Sequence, residues 1–187
     1  MKNYIGVLIL VVLAFAGCKD NAPSGIPEPG LGNVTVNKYV SIGNSLTAGY
    51  QAGGLYEDGQ IYSYPNLIAQ QLKIAGAPLG KFEQPIWGNP GSPDAFGKAA
   101  RVEILSWPAS GPEIGSSGTK AGVATNSALS RPYDNLGIPF AYINDFLDTA
   151  DFVVKSVPLP KIFFLHVLRN KSYGNSIFDQ ARKIIPK

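Results

Sequence analysis

A single cysteine, a single histidine and no cluster of basic residues set the first limits on this sequence. With Cys18 alone, no disulfide framework is possible. The formal charge of +3 is small, and about +2 remains once Lys2 leaves with the leader segment expected below. That is too little to argue for a nucleic-acid partner, and no Lys/Arg cluster supports one. No apolar run reaches the roughly 20 residues that span a bilayer. The longest, Ile5 to Gly17, has thirteen. Internal repeats are absent, and low complexity is confined to one tether near the start. What is present, 45% hydrophobic and 11% aromatic residues over 187 positions, is a globular composition long enough for one sizeable core.

The opening MKNYIGVLILVVLAFAGC has a Lys near the terminus and an apolar run of signal-peptide length, so residues 1–17 read as a secretory signal. The run ends in Ala16-Gly17-Cys18 and is similar to a bacterial lipobox, with Phe15 where Leu is usual. The resemblance implies that the Cys18 thiol receives a diacylglyceryl group and becomes the mature N-terminus. The alternative is a short membrane helix with an incidental Cys. Residues 19–33, KDNAPSGIPEPGLGN, hold three Pro, three Gly and no apolar periodicity, which describes an extended tether. Lys19 after the Cys argues against inner-membrane retention. The expected location is the outer membrane, lipid-anchored, on its periplasmic or cell-surface side.

From residue 34 to 187 the pattern is that of one domain. Val34, Val36, Tyr39, Val40 and Ile42 predict a strand ending at Gly43, interrupted at Asn37 and Lys38. YPNLIAQQLKIAG predicts a helix with Pro65 at its first position, Ile68, Leu72 and Ala75 on one face, and Gly76 as its stop. A serine corner, Gly43-Asn44-Ser45, lies between the two. Residues Gly76 to Gly122 are loop-like, with 15 Gly or Pro among 47. So long a bare loop is unusual, so the stretch 76–130 is better read as an insertion with a hairpin, RVEILSW supplying a short strand. Phe82, Trp87, Phe96 and Trp107 either rim a substrate or pin the insertion to the core. The last third predicts helices. Ile138, Tyr142 and Phe146 share a face, PKIFFLHVLRN forms a short helix, and NSIFDQARKIIPK opens on an Asn175 or Ser176 cap with Asp179 in its first turn.

GNSLTAGY followed by YSYPNLIAQQL resembles the first block of the SGNH, or GDSL, hydrolases, in particular their lipoprotein branch from gram-negative bacteria. YDNLGIPFA around Gly137 is similar to the second block. The resemblance implies an α/β fold, a three-layer flavodoxin-like parallel sheet that is incomplete in this chain. It implies Ser45 as nucleophile, with its own N–H and that of Gly137 stabilising the carbonyl oxygen as it gains charge. Each preorganised donor of this kind is worth about 2.7–4 kcal/mol. The alternative for Gly137 is an ordinary turn glycine. Asn44 stands where the family usually has Asp, which bears on loop geometry more than on chemistry.

Two further blocks of the family, Gly-x-Asn-Asp and Asp-x-x-His, have no counterpart here. His166 has Phe163 three residues before it, and a lone His on an apolar helix face reads as a packing residue. Ser45 therefore has no visible base, and an unactivated hydroxyl is a weak nucleophile. The pattern stops at Pro186-Lys187 where a β-α-β unit calls for another strand, and the expectation is the N-terminal part of a longer esterase. The implied function is a lipid-anchored serine esterase, inactive as this fragment, acting on a small-molecule or glycan ester such as an acetyl group, with no metal or cofactor. The alternatives are a non-catalytic surface-anchored binding lipoprotein and a tethered structural protein with an incidental serine.

Overall fold

Where a strand has a partner decides how much of its sequence becomes strand. In this computed structural model, which describes residues 28–94, 96, 98–149 and 158–185, β1 is only Ser41–Gly43. It pairs in parallel with β4 (Asn135–Gly137), Ser41 opposite Asn135 and Gly43 opposite Gly137. The stretch from Val34 to Val40, expected to be strand, is not one, and Val34 is exposed. Its partner strand is three residues long, and backbone groups beyond it gain no ladder. The signal segment, Cys18 and most of the tether lie outside the described residues.

After the serine corner come three helices: α1 (Ser45–Ala48), α2 (Glu57–Gln60) and α3 (Tyr64–Ile74). Helix α3 has Pro65 in its first turn and ends before Gly76, which adopts φ +90°. Its buried face differs from the predicted one. Pro65 and Ala69 are buried, whereas Ile68 is exposed and Leu72 half-buried. The small side chains lie inward, and a hydrogen bond between Thr47 Oγ1 and Tyr64 Oη (2.9 Å) holds the helix start to α1.

The Gly/Pro-rich region carries a hairpin, β2 (Val102–Ser106) antiparallel to β3 (Glu113–Ser116). Of its aromatics, Trp87 is buried in the core and Phe82 stacks on Tyr39 at 5.3 Å, while Phe96 and Trp107 face solvent.

The predicted helix over Ile138, Tyr142 and Phe146 does not form. Ile138 continues from β4, its N–H donating to Gly43 O at 2.9 Å, and only a single 3-10 turn follows at Ile143–Phe146. Pro139, Phe140 at φ +65° and the strand pairing at Ile138 leave no room for helix. Ile138 and Phe146 are buried, but Tyr142 is exposed. The last two helices are α4 (Pro158–Val167) and α5 (Ile177–Ile184). Helix α5 has the predicted cap: Ser176 Oγ accepts from Asp179 N and Asp179 Oδ2 from Ser176 N.

The core gathers Tyr133, Leu136 and Ile138 around β4, Phe163, Phe164 and Val167 from α4, and Ile177 and Ala181 from α5. Ala48, Leu55 and Trp87 join it, as do Ala141 and Phe146. The described chain is α/β in the broad sense: short helices, one parallel strand pair and one separate antiparallel pair. No described helix is long and apolar enough to cross a membrane.

Candidate functional site

Ser45 is the first residue of α1, immediately past the end of β1 and Asn44. Helix α1 is a single turn, and Gly49 closes it in the left-handed region at φ +78°. Gly49 also lets the chain lie against α2, since a Cβ there would come within 3.0 Å of Gln60 Cα.

Ser45 is half-buried, and its hydroxyl oxygen accepts a hydrogen bond from the Phe140 N–H at 3.3 Å. Phe140 takes φ +65°, a conformation that costs a bulky L-residue roughly 1–3 kcal/mol. The expectation that the Gly137 N–H faces this position is corrected. Gly137 lies in β4 opposite Gly43, and its N–H donates to Asn135 Oδ1 at 2.9 Å. The absent Cβ serves packing instead: it would sit 2.4 Å from Ala48 N and 2.7 Å from Thr47 C. Glycine is required here for close approach, but to α1 rather than to a ligand. The N–H that meets the serine comes three residues later.

Beneath α1 lies a buried amide network that sequence reasoning missed. Asn135 Nδ2 donates to Thr47 O (2.8 Å) and to Gln84 Oε1 (2.9 Å). Gln84 Oε1 also accepts from Ser63 Oγ at 2.8 Å. Gln60 Nε2 donates to Pro85 O at 2.8 Å, and its Oε1 accepts from Trp87 N at 2.8 Å. Gln60 and Asn135 are wholly inaccessible to solvent. Buried amides left unpaired are costly, so these pairings select one placement of α1, and of Ser45 with it. The available signal was Asn135 directly before Leu136 in the strand that leads to Ile138.

His166 is not brought to Ser45 by any hydrogen bond. It is buried on α4, its ring 5.3 Å from that of Trp87 and 5.8 Å from that of Tyr133. Burial, reinforced by the Arg169 charge, pushes its pKa down to about 4, against a weaker opposing pull from the backbone at Pro85 and Ile86. Asp145 Oδ2 accepts from the Tyr142 N–H at 2.7 Å and so serves the 3-10 turn. Among the described residues, no group of three or more His, Cys, Asp or Glu gathers that would hold a metal ion. The arrangement offers a half-buried serine with a backbone donor on its hydroxyl oxygen. Compared with known proteins, the chain matches no family model, no curated protein and no solved structure.

Proposed function

We propose that this chain carries the nucleophile corner of a lipid-anchored ester hydrolase of the SGNH class. The observation that supports it is Ser45 at the end of a strand in a parallel pair with the Phe140 N–H on its Oγ. The proposal treats β1 and β4 as neighbouring strands of a larger three-layer parallel sheet. The substrate is a carboxylic ester on a small molecule or glycan, and nucleic acid has no part in it.

In the reaction Ser45 Oγ forms a bond to the ester carbonyl carbon while its proton passes to a base. The carbonyl electron pair moves onto oxygen, where backbone N–H donors stabilise it. Collapse breaks the bond to the alcohol, which leaves with the proton, and water then releases the acid from the acyl-serine by the same steps. No metal or cofactor is called for. The base is an imidazole, as in the resembling family, and these 187 residues do not supply it: His166 is buried and neutral.

That same observation favours a second reading, a surface-anchored binding lipoprotein without catalysis. The test is hydrolysis of aryl acetates by the longest product of the natural gene. Ser45→Ala is expected to lower the rate by roughly three orders of magnitude or more. A rate unchanged by Ser45→Ala, or no turnover at all, favours the binding reading.

A further inference from the structure

A cavity of about 360 Å³ opens at the end of the parallel pair opposite Ser45. Residues 37–39, which lead into β1, and Arg131 and Asp134, which precede β4, line it together with the segment from Leu79 to Glu83. Its volume falls within the roughly 300–1,000 Å³ of small-molecule sites. None of these residues belongs to the serine corner, which follows the two strands rather than preceding them.

Hydrogen bonds hold this lining in place. Buried Asp134 accepts from Arg131 Nη1 at 2.9 Å and from Nη2 at 2.7 Å, a bidentate pair. Its Oδ2 also accepts from the Glu83 N–H at 2.8 Å, and Arg131 Nη2 donates to Lys81 O at 3.1 Å. The backbone is thus fixed on both sides of Phe82, whose ring stacks on Tyr39 at 5.3 Å and an interplanar angle of 21°. A ligand entering here meets rings and polar groups already positioned, so little ordering is lost on binding.

The chemistry of the lining narrows the occupant. Lys38, Lys81 and Arg131 bring positive charge, and Glu83 and Asp134 bring negative. Lys81 Nζ stands 3.0 Å from Glu83 and Arg131 2.7 Å from Asp134, so the two signs largely cancel. A simple anion would meet two carboxylates, and a simple cation three positive groups. An alkyl chain would cover these polar groups without satisfying them. A sugar ring suits both parts of the lining. Its hydroxyls donate to the Glu83 carboxylate and accept from Lys38 and Asn37. Its C–H face, slightly positive, suits the negative face of an aromatic ring.

We propose that this cavity binds a saccharide unit, held against the Tyr39–Phe82 pair and hydrogen-bonded by Asn37, Lys38 and Glu83. The proposal does not rest on the hydrolase reading, since it needs no reaction at Ser45. For a chain acting on a glycan ester, the cavity is a second hold on the polymer, away from the serine.

The experiment titrates the full chain in detergent with neutral tetrasaccharides of glucose, xylose, mannose and N-acetylglucosamine, followed by calorimetry. At least one is expected to bind, with an affinity that salt does not change. Phe82→Leu keeps apolar bulk but removes the aromatic face, and should weaken that binding about tenfold. Asn37→Ala, at an exposed position, should weaken it about threefold and decides the matter if thermal unfolding shows that Phe82→Leu does not fold. Lys38→Gln keeps a donor without the charge and should change it less than about threefold. Trp107→Leu, an exposed aromatic outside the cavity, and Ser45→Ala should leave it unaltered. Failure of all four sugars to bind, or affinity retained in both Phe82→Leu and Asn37→Ala, overturns the proposal. Binding lost in Ser45→Ala also overturns it, in favour of a sugar at the serine corner. Binding of inorganic phosphate but of no neutral sugar, lost in Lys38→Gln and at high salt, overturns it in favour of an anion site.

Discussion

At the scale of single residues, His166 shows how burial decides what an imidazole does. Its ring lies between Trp87 and Tyr133, and Arg169, whose guanidinium stands 3.7 Å over the Tyr133 ring, adds repulsion to desolvation. The folded-state pKa of about 4 lies below the unfolded value of 6.5. Between the two the unfolded chain binds more protons, so stability rises with pH through that window and levels off above it. Lowering the pH from 7 to 4.5 should therefore cost the parent roughly 2 kcal/mol more than it costs His166→Gln, which cannot titrate. Urea unfolding of both at the two pH values measures the difference. Equal losses would mean that His166 is not held neutral. A packing role was legible from a lone His on an apolar helix face. The Trp87 and Tyr133 contacts were not, since they join residues 79 and 33 positions away in the chain.

Between elements, the contact that places Ser45 is the apposition of β4 and α1. Gly137 sits under the backbone of Thr47 and Ala48, and a Cβ there meets main-chain atoms that cannot rotate aside. Gly137→Ala should destabilise the fold by about 1–3 kcal/mol, as overpacking does. Gly80→Ala, with nothing within 4 Å, should stay within about 0.5 kcal/mol of the parent. Thermal unfolding of the pair tests this, and equal midpoints would remove the packing role assigned to Gly137. Elements were legible where their signals were local. The start of α3 within a residue of Pro65 and its stop before Gly76 needed only neighbouring residues, as did the Ser176–Asp179 cap of α5. The helix expected through Ile138–Phe146 failed because Ile138 is claimed by Gly43, which no local pattern contains.

For the molecule as a whole, the proposed lipid anchor determines where the serine corner works. With Cys18 acylated, expression in a gram-negative host should give a protein that incorporates labelled fatty acid and partitions into detergent, and Cys18→Ala should abolish both. A diacylglyceryl group supplies two chains, enough for stable attachment. Equal labelling of parent and variant would remove the anchor. By itself the sequence determined what depends on a few adjacent residues: the strand-to-helix corner at Ser45, the caps, the hairpin strand at Val102–Ser106 and the packing character of His166. Tertiary structure alone decided which N–H meets Ser45 Oγ, since the donor is 95 positions away. It also decided that Gln60, Gln84 and Asn135 are buried together, pairs up to 51 positions apart whose amides satisfy one another only once the chain has closed. The physical reason is the same in each case: a buried polar group or a glycine's missing Cβ takes its meaning from what packs against it, and that is set by topology rather than by neighbours in the chain.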